Sequence, residues 1–136
     1  MYYLKVASCF DAAHFLPNYS GACGDMHGHH WTVIVTWKFS EELNKQGIAL
    51  DLKALKCQLR EILKDFDHQL LNKTLLRPTA ENLAKYIFDL LARQYLYEAN
   101  FLQAVEIEET PGCSVAYVPG VKVEPAKKPK QKKRKH

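Results

Sequence analysis

The sequence predicts an α+β domain in the order β-β-α-α-β-β, one small antiparallel sheet with two helices on a face. Three observations carry this. Residues 31–39 alternate strictly, with Trp31, Val33, Val35, Trp37 and Phe39 against Thr32, Ile34, Thr36 and Lys38. Two apolar stripes at helical spacing follow, each behind a capping residue. There is no internal repeat, and no strand–helix–strand rhythm of a parallel sheet.

The first strand is expected over 2–14, where Leu4, Val6, Ser8 and Phe10 share one parity that also carries His14. Pro17, Asn18, Ser20, Gly21 and Gly24 make a turn-rich loop before the second strand at 31–39. Asp51 caps a helix over 52–66, because its carboxylate can accept from free first-turn N–H groups. Leu52, Leu55, Leu59, Ile62, Leu63 and Phe66 form its apolar stripe. Pro78 and Thr79 open the second helix, with Thr79 as cap and Glu81 complementing the positive end of the dipole. Its inward face is Leu83, Tyr86, Ile87, Leu90 and Leu91. Phe101, Val105 and Ile107 then alternate with Leu102, Glu106 and Glu108 in a third strand, and Pro111-Gly112 turns into a fourth at 113–118. Pro119-Gly120 ends the domain, leaving a domain at 1–120 and a tail at 121–136. A four-stranded sheet with one covered face has edges and an open face to manage, which points to an oligomer, with Trp31, Trp37 and the tyrosines as candidate contacts.

A length of 136 residues fits one core, and 47% hydrophobic content excludes wholesale disorder. No run of about 18 apolar residues exists, so no spanning helix is expected. The formal charge of +4 is misleading. Residues 126–136 hold Lys127, Lys128, Lys130, Lys132, Lys133, Arg134 and Lys135 and no acid, so removing them leaves −3 on residues 1–125. The tail reads as disordered: a solvating appendage, a weak attachment to RNA or an anionic surface, or an import-like signal. A zinc-stabilised nucleic-acid-binding module would need those cations on the fold itself, so nucleic acid is a partner only through the tail. The four cysteines, with no signal-like layout in residues 1–5, are expected to be reduced thiols in a cytoplasmic protein.

Chemistry concentrates at Cys23-Gly24-Asp25-Met26-His27-Gly28-His29-His30 together with His14, in a chain of only six His and four Cys. If Trp31 begins the strand, His27 and His29 lie at its mouth and point the same way, with Gly28 leaving the space between them open. Two such nitrogens suit one small cation, with His14 as a third ligand. Three His around Zn²⁺ would leave one position free for water or substrate. The plainer alternative is three polar loop histidines with no shared role. Cys23 is open in the same way: a thiol beside a metal or imidazole becomes a usable thiolate, or else it closes a structural zinc site.

Glu109 shares the parity of Phe101, Val105 and Ile107, so it points to the apolar side unless the strand has already reached solvent. An acid there costs several kcal/mol unless paired, and its two oxygens match paired N–H donors of a planar ligand such as a pterin or guanine edge. Asp67-His68 closes the first helix, where a cationic imidazole is favoured; alternatively Asp67 orients His68 as a proton-transfer pair.

Phe10-Asp11-Ala12-Ala13-His14, Cys23-x-x-x-His27-Gly28-His29, Asp67-His68, Pro78-Thr79-Ala80-Glu81-Asn82-Leu83-Ala84 and Glu108-Glu109-Thr110 stand in one order over about 3–118. In these motifs the chain resembles the 6-pyruvoyltetrahydropterin synthase / 6-carboxytetrahydropterin synthase family. The resemblance implies the tunnelling fold (T-fold), whose subunits assemble as an oligomeric barrel, a homohexamer built as a dimer of trimers, with active sites at subunit interfaces. It implies that His14, His27 and His29 hold Zn²⁺, that Cys23 is the catalytic thiol, and that Asp67 and His68 complete the proton-transfer group across a subunit boundary. It also implies that Glu109 anchors the pterin and that Thr79 lies near the pocket. The substrate implied is 7,8-dihydroneopterin triphosphate, with Lys53, Lys73, Lys85 and Arg77 as triphosphate candidates by charge alone. The three-residue gap between Cys23 and His27 is similar to the bacterial 6-carboxy enzymes of queuosine biosynthesis; animal pyruvoyl enzymes place more residues there. Relatives that make hydroxymethyl-dihydropterin carry Glu at this Cys position, which Cys23 argues against.

Overall fold

The computed structural model describes residues 1–120; the expectations for the tail at 121–136 lie outside the described residues. The chain runs β1 (Tyr2–His14), β2 (His27–Phe39), α1 (Leu52–Leu63), β3 (Gln69–Leu70), α2 (Ala80–Gln94), α3 (Leu96–Ala99), β4 (Leu102–Thr110) and β5 (Cys113–Tyr117). The sheet order is β3-β1-β2-β4-β5. β1 and β2 pair antiparallel along their whole length, from Tyr2↔Phe39 to His14↔His27. One face of this sheet is the core. Val6, Phe10 and Ala12 of β1, Trp31 to Phe39 at alternate positions of β2, and Val105 and Ile107 of β4 are all buried there.

Both helices cover that face for the reasons the sequence provides. The Asp51 side chain accepts from the Lys53 N–H, and Leu55, Leu59, Ile62 and Leu63 of α1 are buried. Thr79 accepts from the Asn82 N–H, and Ala80, Leu83, Ala84, Ile87 and Leu91 of α2 are buried. Each cap satisfies one donor the first turn cannot pair internally.

Several expectations need correction. β2 begins at His27 rather than at 31, because its partner β1 continues to His14; the histidines are paired residues at the end of the ladder rather than in the loop before it. A Cβ on Gly28 would meet nothing, so Gly28 is not what opens the space between His27 and His29. Trp31 and Trp37 are 0% and 1% exposed, core residues rather than subunit contacts within this chain's open face. α1 stops at Leu63, since Phe66 N–H returns to the Leu63 carbonyl at 3.1 Å in a tight turn. Leaving the helix lets Phe66 pack on Phe10, with ring centroids 5.7 Å apart. Asp67 and His68 therefore lie in a turn and not at a helix terminus. The sheet also gains a fifth strand, and it is not wholly antiparallel: β3 pairs parallel to β1 through Ala12↔Gln69 and Ala13↔Leu70. Two residues and a four-residue helix such as α3 carry no periodicity for a sequence pattern to reveal.

The core makes a direct test. Leu59 is 0% exposed, whereas Leu76 is 86% exposed. Leu59→Ala should cost about 2–5 kcal/mol, and Leu76→Ala should stay within about 0.5 kcal/mol. Equilibrium urea unfolding measures both, and equal losses would contradict the packing of α1.

Candidate functional site

The β1–β2 register builds the site. His14 and His27 are cross-strand partners and His29 lies two residues along β2, so all three face the same side. Behind them sits Trp31, edge-on to His14 at 4.9 Å and to His29 at 5.2 Å between ring centroids. The three imidazoles are themselves mutually edge-on, 4.6–5.2 Å apart.

Backbone carbonyls set which nitrogens face inward. The Nδ1 of His14 donates to the Pro78 carbonyl at 2.7 Å, and that of His27 to the Asp25 carbonyl at 2.6 Å. A carbonyl only accepts, so in the neutral rings both Nε2 atoms are bare lone pairs; this tautomer follows from the partners. Those two lone pairs lie 3.0 Å apart. His29 Nε2 is buried without a hydrogen bond. Glu109 Oε1 is 3.1 Å from it and 3.4 Å from His14 Nε2, ion-pair distances rather than an aligned hydrogen bond. Burial holds the His29 pKa below 6.5; Glu109 opposes this, and His14 and His27 reinforce it. Burial thus favours the neutral ring of His29.

One ligand atom from each of His14, His27, His29 and Glu109 lies within 4.8 Å of the others. The two bare Nε2 atoms, the His29 ring and a carboxylate oxygen converge on one point, a donor set that could hold a divalent cation. Glu109 comes from β4, where the pairing with β5 shifts register between Glu108 and Thr110. Such an irregularity re-aims a side chain. Its parity with Val105 and Ile107 is as the pattern requires, and its side chain remains 33% exposed at the rim.

Asp67 and His68 sit on the neighbouring edge of β1. The Asp11 N–H donates to Asp67 Oδ1 at 3.0 Å, and the His68 N–H donates to the Asp11 carbonyl at 2.7 Å. His68 Nδ1 lies 3.0 Å from Asp67 Oδ2. The Asp11 N–H, helped by His68, holds the Asp67 carboxyl below its usual range against desolvation. His68 adopts φ 57°, uncommon for a residue with a Cβ, as this double clamp demands. An open groove of about 560 Å³ is lined by Asp11, His29, His30 and His68 together with Gln69 and Leu70. His68 lines this groove with Asp11 and His30, which point away from the imidazole face, and is outside the His–Glu group. Cys23 is exposed, in a 3-10 turn over Ala22–Gly24, and is outside the His–Glu group.

The model of the family described as 6-pyruvoyl tetrahydropterin synthase matches residues 3–119. The chain belongs to the 6-pyruvoyl tetrahydropterin synthase family. It is 32% identical over 116 residues to the 6-carboxy-5,6,7,8-tetrahydropterin synthase of Synechocystis, covering 79% of this chain and 86% of that protein. The Bacillus subtilis protein of the same name is 37% identical over 87 residues, 57% of each. In three dimensions the chain is similar to 6-pyruvoyl tetrahydropterin synthase of Caenorhabditis elegans, with TM-score 0.75, 27% identity, and coverage of 86% and 94%.

Within this synthase-family fold, Thr79 acts as the α2 cap, and the carbonyl of its neighbour Pro78 holds His14. Of the four cations singled out for triphosphate, Arg77 and Lys85 line one cavity of about 340 Å³. Lys53 and Lys73 do not line it, and Lys85 is already 3.1 Å from Asp89. The carbonyls of Asp25 and Pro78 were invisible to motif reading, because every residue carries one. His30, whose Nδ1 is 2.8 Å from Asp11 Oδ1, follows His29 onto the opposite face.

Protons compete with metal for imidazole. A divalent cation should bind at neutral pH and be lost on acidification, with burial of His29, which disfavours its protonated form, delaying that loss. His27→Ala should weaken binding more than about 100-fold and His30→Ala should leave it unchanged. Chelator competition reads both, and pH-independent affinity would remove His29 from the ligand set.

Proposed function

We propose that this protein is a zinc-dependent lyase that converts 7,8-dihydroneopterin triphosphate to 6-carboxy-5,6,7,8-tetrahydropterin, releasing acetaldehyde and triphosphate. The observation that carries this reading is the convergence of three imidazole Nε2 atoms on a rim carboxylate, in a chain whose relatives bear that enzyme name. His14, His27 and His29 would hold Zn²⁺, whose N-donor preference this set meets. Bound there, zinc would supply Lewis-acid stabilisation of negative charge developing on the substrate's side-chain oxygens, on the order of several kcal/mol.

The chain's own residues do the rest. Glu109, at the rim, accepts from the pterin's amino-pyrimidine edge and so lays the side chain toward the imidazoles. Cys23 as thiolate removes a proton from that side chain. His68, oriented by Asp67 through a 3.0 Å contact, returns one. Positioned acid–base groups of this kind contribute about 10²–10⁴-fold in rate. Thr79 shapes the pocket through the cap that places Pro78. The working form is a cytoplasmic homohexamer, a dimer of trimers whose subunits close an oligomeric barrel, serving queuosine biosynthesis, with residues 1–120 sufficient for catalysis. A 6-pyruvoyl product is the second reading, favoured by the likeness to the Caenorhabditis elegans enzyme.

Incubation with dihydroneopterin triphosphate and Zn²⁺ should yield acetaldehyde; its absence alongside a pyruvoyl product would overturn the carboxy assignment. Cys23→Ala should keep its zinc and lose turnover by about 10²-fold or more, and joint loss of zinc would make Cys23 a ligand. Glu109→Gln should weaken pterin binding with zinc retained. If metal leaves with that change, Glu109 belongs to the metal shell instead.

A further inference from the structure

Asn72 stands in a 3-10 turn over Leu71–Lys73, rooted in the core by Leu71, which is 1% exposed. Its side-chain amide makes both hydrogen bonds that a strand partner would make to Phe15: the Phe15 N–H donates to Oδ1 at 3.0 Å, and Nδ2 donates to the Phe15 carbonyl at 2.9 Å. The backbone pairing of β1 with β3 ends at Ala13↔Leu70. Asn72 continues it by side chain, two residues further on.

This bond pair ties two distant segments together. On one side, Asn72 follows His68 by four residues, on the segment that Asp67 clamps to Asp11. On the other, Phe15 follows His14 and precedes Leu16, whose N–H donates to the Cys23 carbonyl at 2.9 Å and closes the loop carrying the thiol. That loop has no slack. A Cβ on Gly24 would sit 2.2 Å from the Tyr19 carbonyl oxygen, a backbone atom that cannot move aside cheaply.

We infer that Asn72 is a positioning residue that fixes the Cys23 loop relative to the Asp67–His68 turn. The inference rests on the proposed roles of Cys23 and His68 as proton-transfer groups. Misplacement of reacting groups by about 1 Å is enough to cost about 100-fold in rate. A residue that only satisfied the Phe15 backbone would change stability without changing the reactivity of a thiol eight positions away.

The test uses the full chain with zinc and two variants. Asn72→Ala loses both bonds, and Asn72→Asp keeps the acceptor for the Phe15 N–H while losing the donor, so it serves if the Ala variant does not fold. Each variant is expected to lower kcat about 10–100-fold with KM changed less than about threefold, and to keep its zinc. Alkylation of Cys23 by iodoacetamide, resolved by peptide mass with the exposed Cys57 as internal reference, should change by more than about threefold. Unchanged Cys23 alkylation and kcat within about twofold in Asn72→Asp would overturn the inference; so would loss of zinc in step with activity, which would place the effect at His14. The alkylation arm needs no substrate. If the unmodified protein turned nothing over, the functional reading would fail while the Asn72 tether was still decided.

Discussion

The constraint on which the rest depends is the register of β1 against β2. Pairing His14 with His27 places three imidazoles on one face at the end of the same ladder whose other positions fill the core. A slip of one residue would turn all of β2 over, sending Trp31, Val33 and Val35 to solvent along with the histidines. Burial of those large side chains thus enforces the site's geometry: the same alternation that drives folding also aims the ligands. Trp31 joins the two roles, fully buried and edge-on to two of the imidazoles.

The second level of the design is electrostatic. Nitrogen lone pairs 3.0 Å apart beside a carboxylate oppose one another, and burial raises the penalty further. The fold holds them there because the Pro78 and Asp25 carbonyls fix the outer nitrogens from the backbone. Such a cluster is destabilising by itself, and a cation held there would relieve it and stabilise the fold. The cost is concentrated where it does chemical work, as strained and unsatisfied groups in folded proteins usually are.

Around this centre, short segments are organised by β1. Asp11 gives its N–H to Asp67 and its carbonyl to the His68 N–H, while its own side chain meets His30. Asn72 then takes up both backbone groups of Phe15. None of these contacts buries much apolar surface. Their effect is directional, holding the Asp67–His68 turn and the chain just after His14 against the edge of β1.

The sequence by itself determined what depends on local pattern. Strict alternation placed β1 and most of β2, Asp51 and Thr79 marked the helix starts, and parity alone turned Glu109 toward the buried side. The grouping of the histidines was legible in part, because residues two apart point the same way whether or not the strand is known to include them. Tertiary structure decided what depends on partners distant in the chain. β2 reaches back to His27 only because β1 is there to pair with it, and β3 exists only as an annex to the β1 edge. The early end of α1 follows from Phe66 packing on Phe10, and the meeting of Glu109 with the imidazoles follows from the pairing of β4 with β2. Side-chain periodicity is a property of one segment, whereas hydrogen bonds to backbone carbonyls are available to every residue and carry no letter of the sequence.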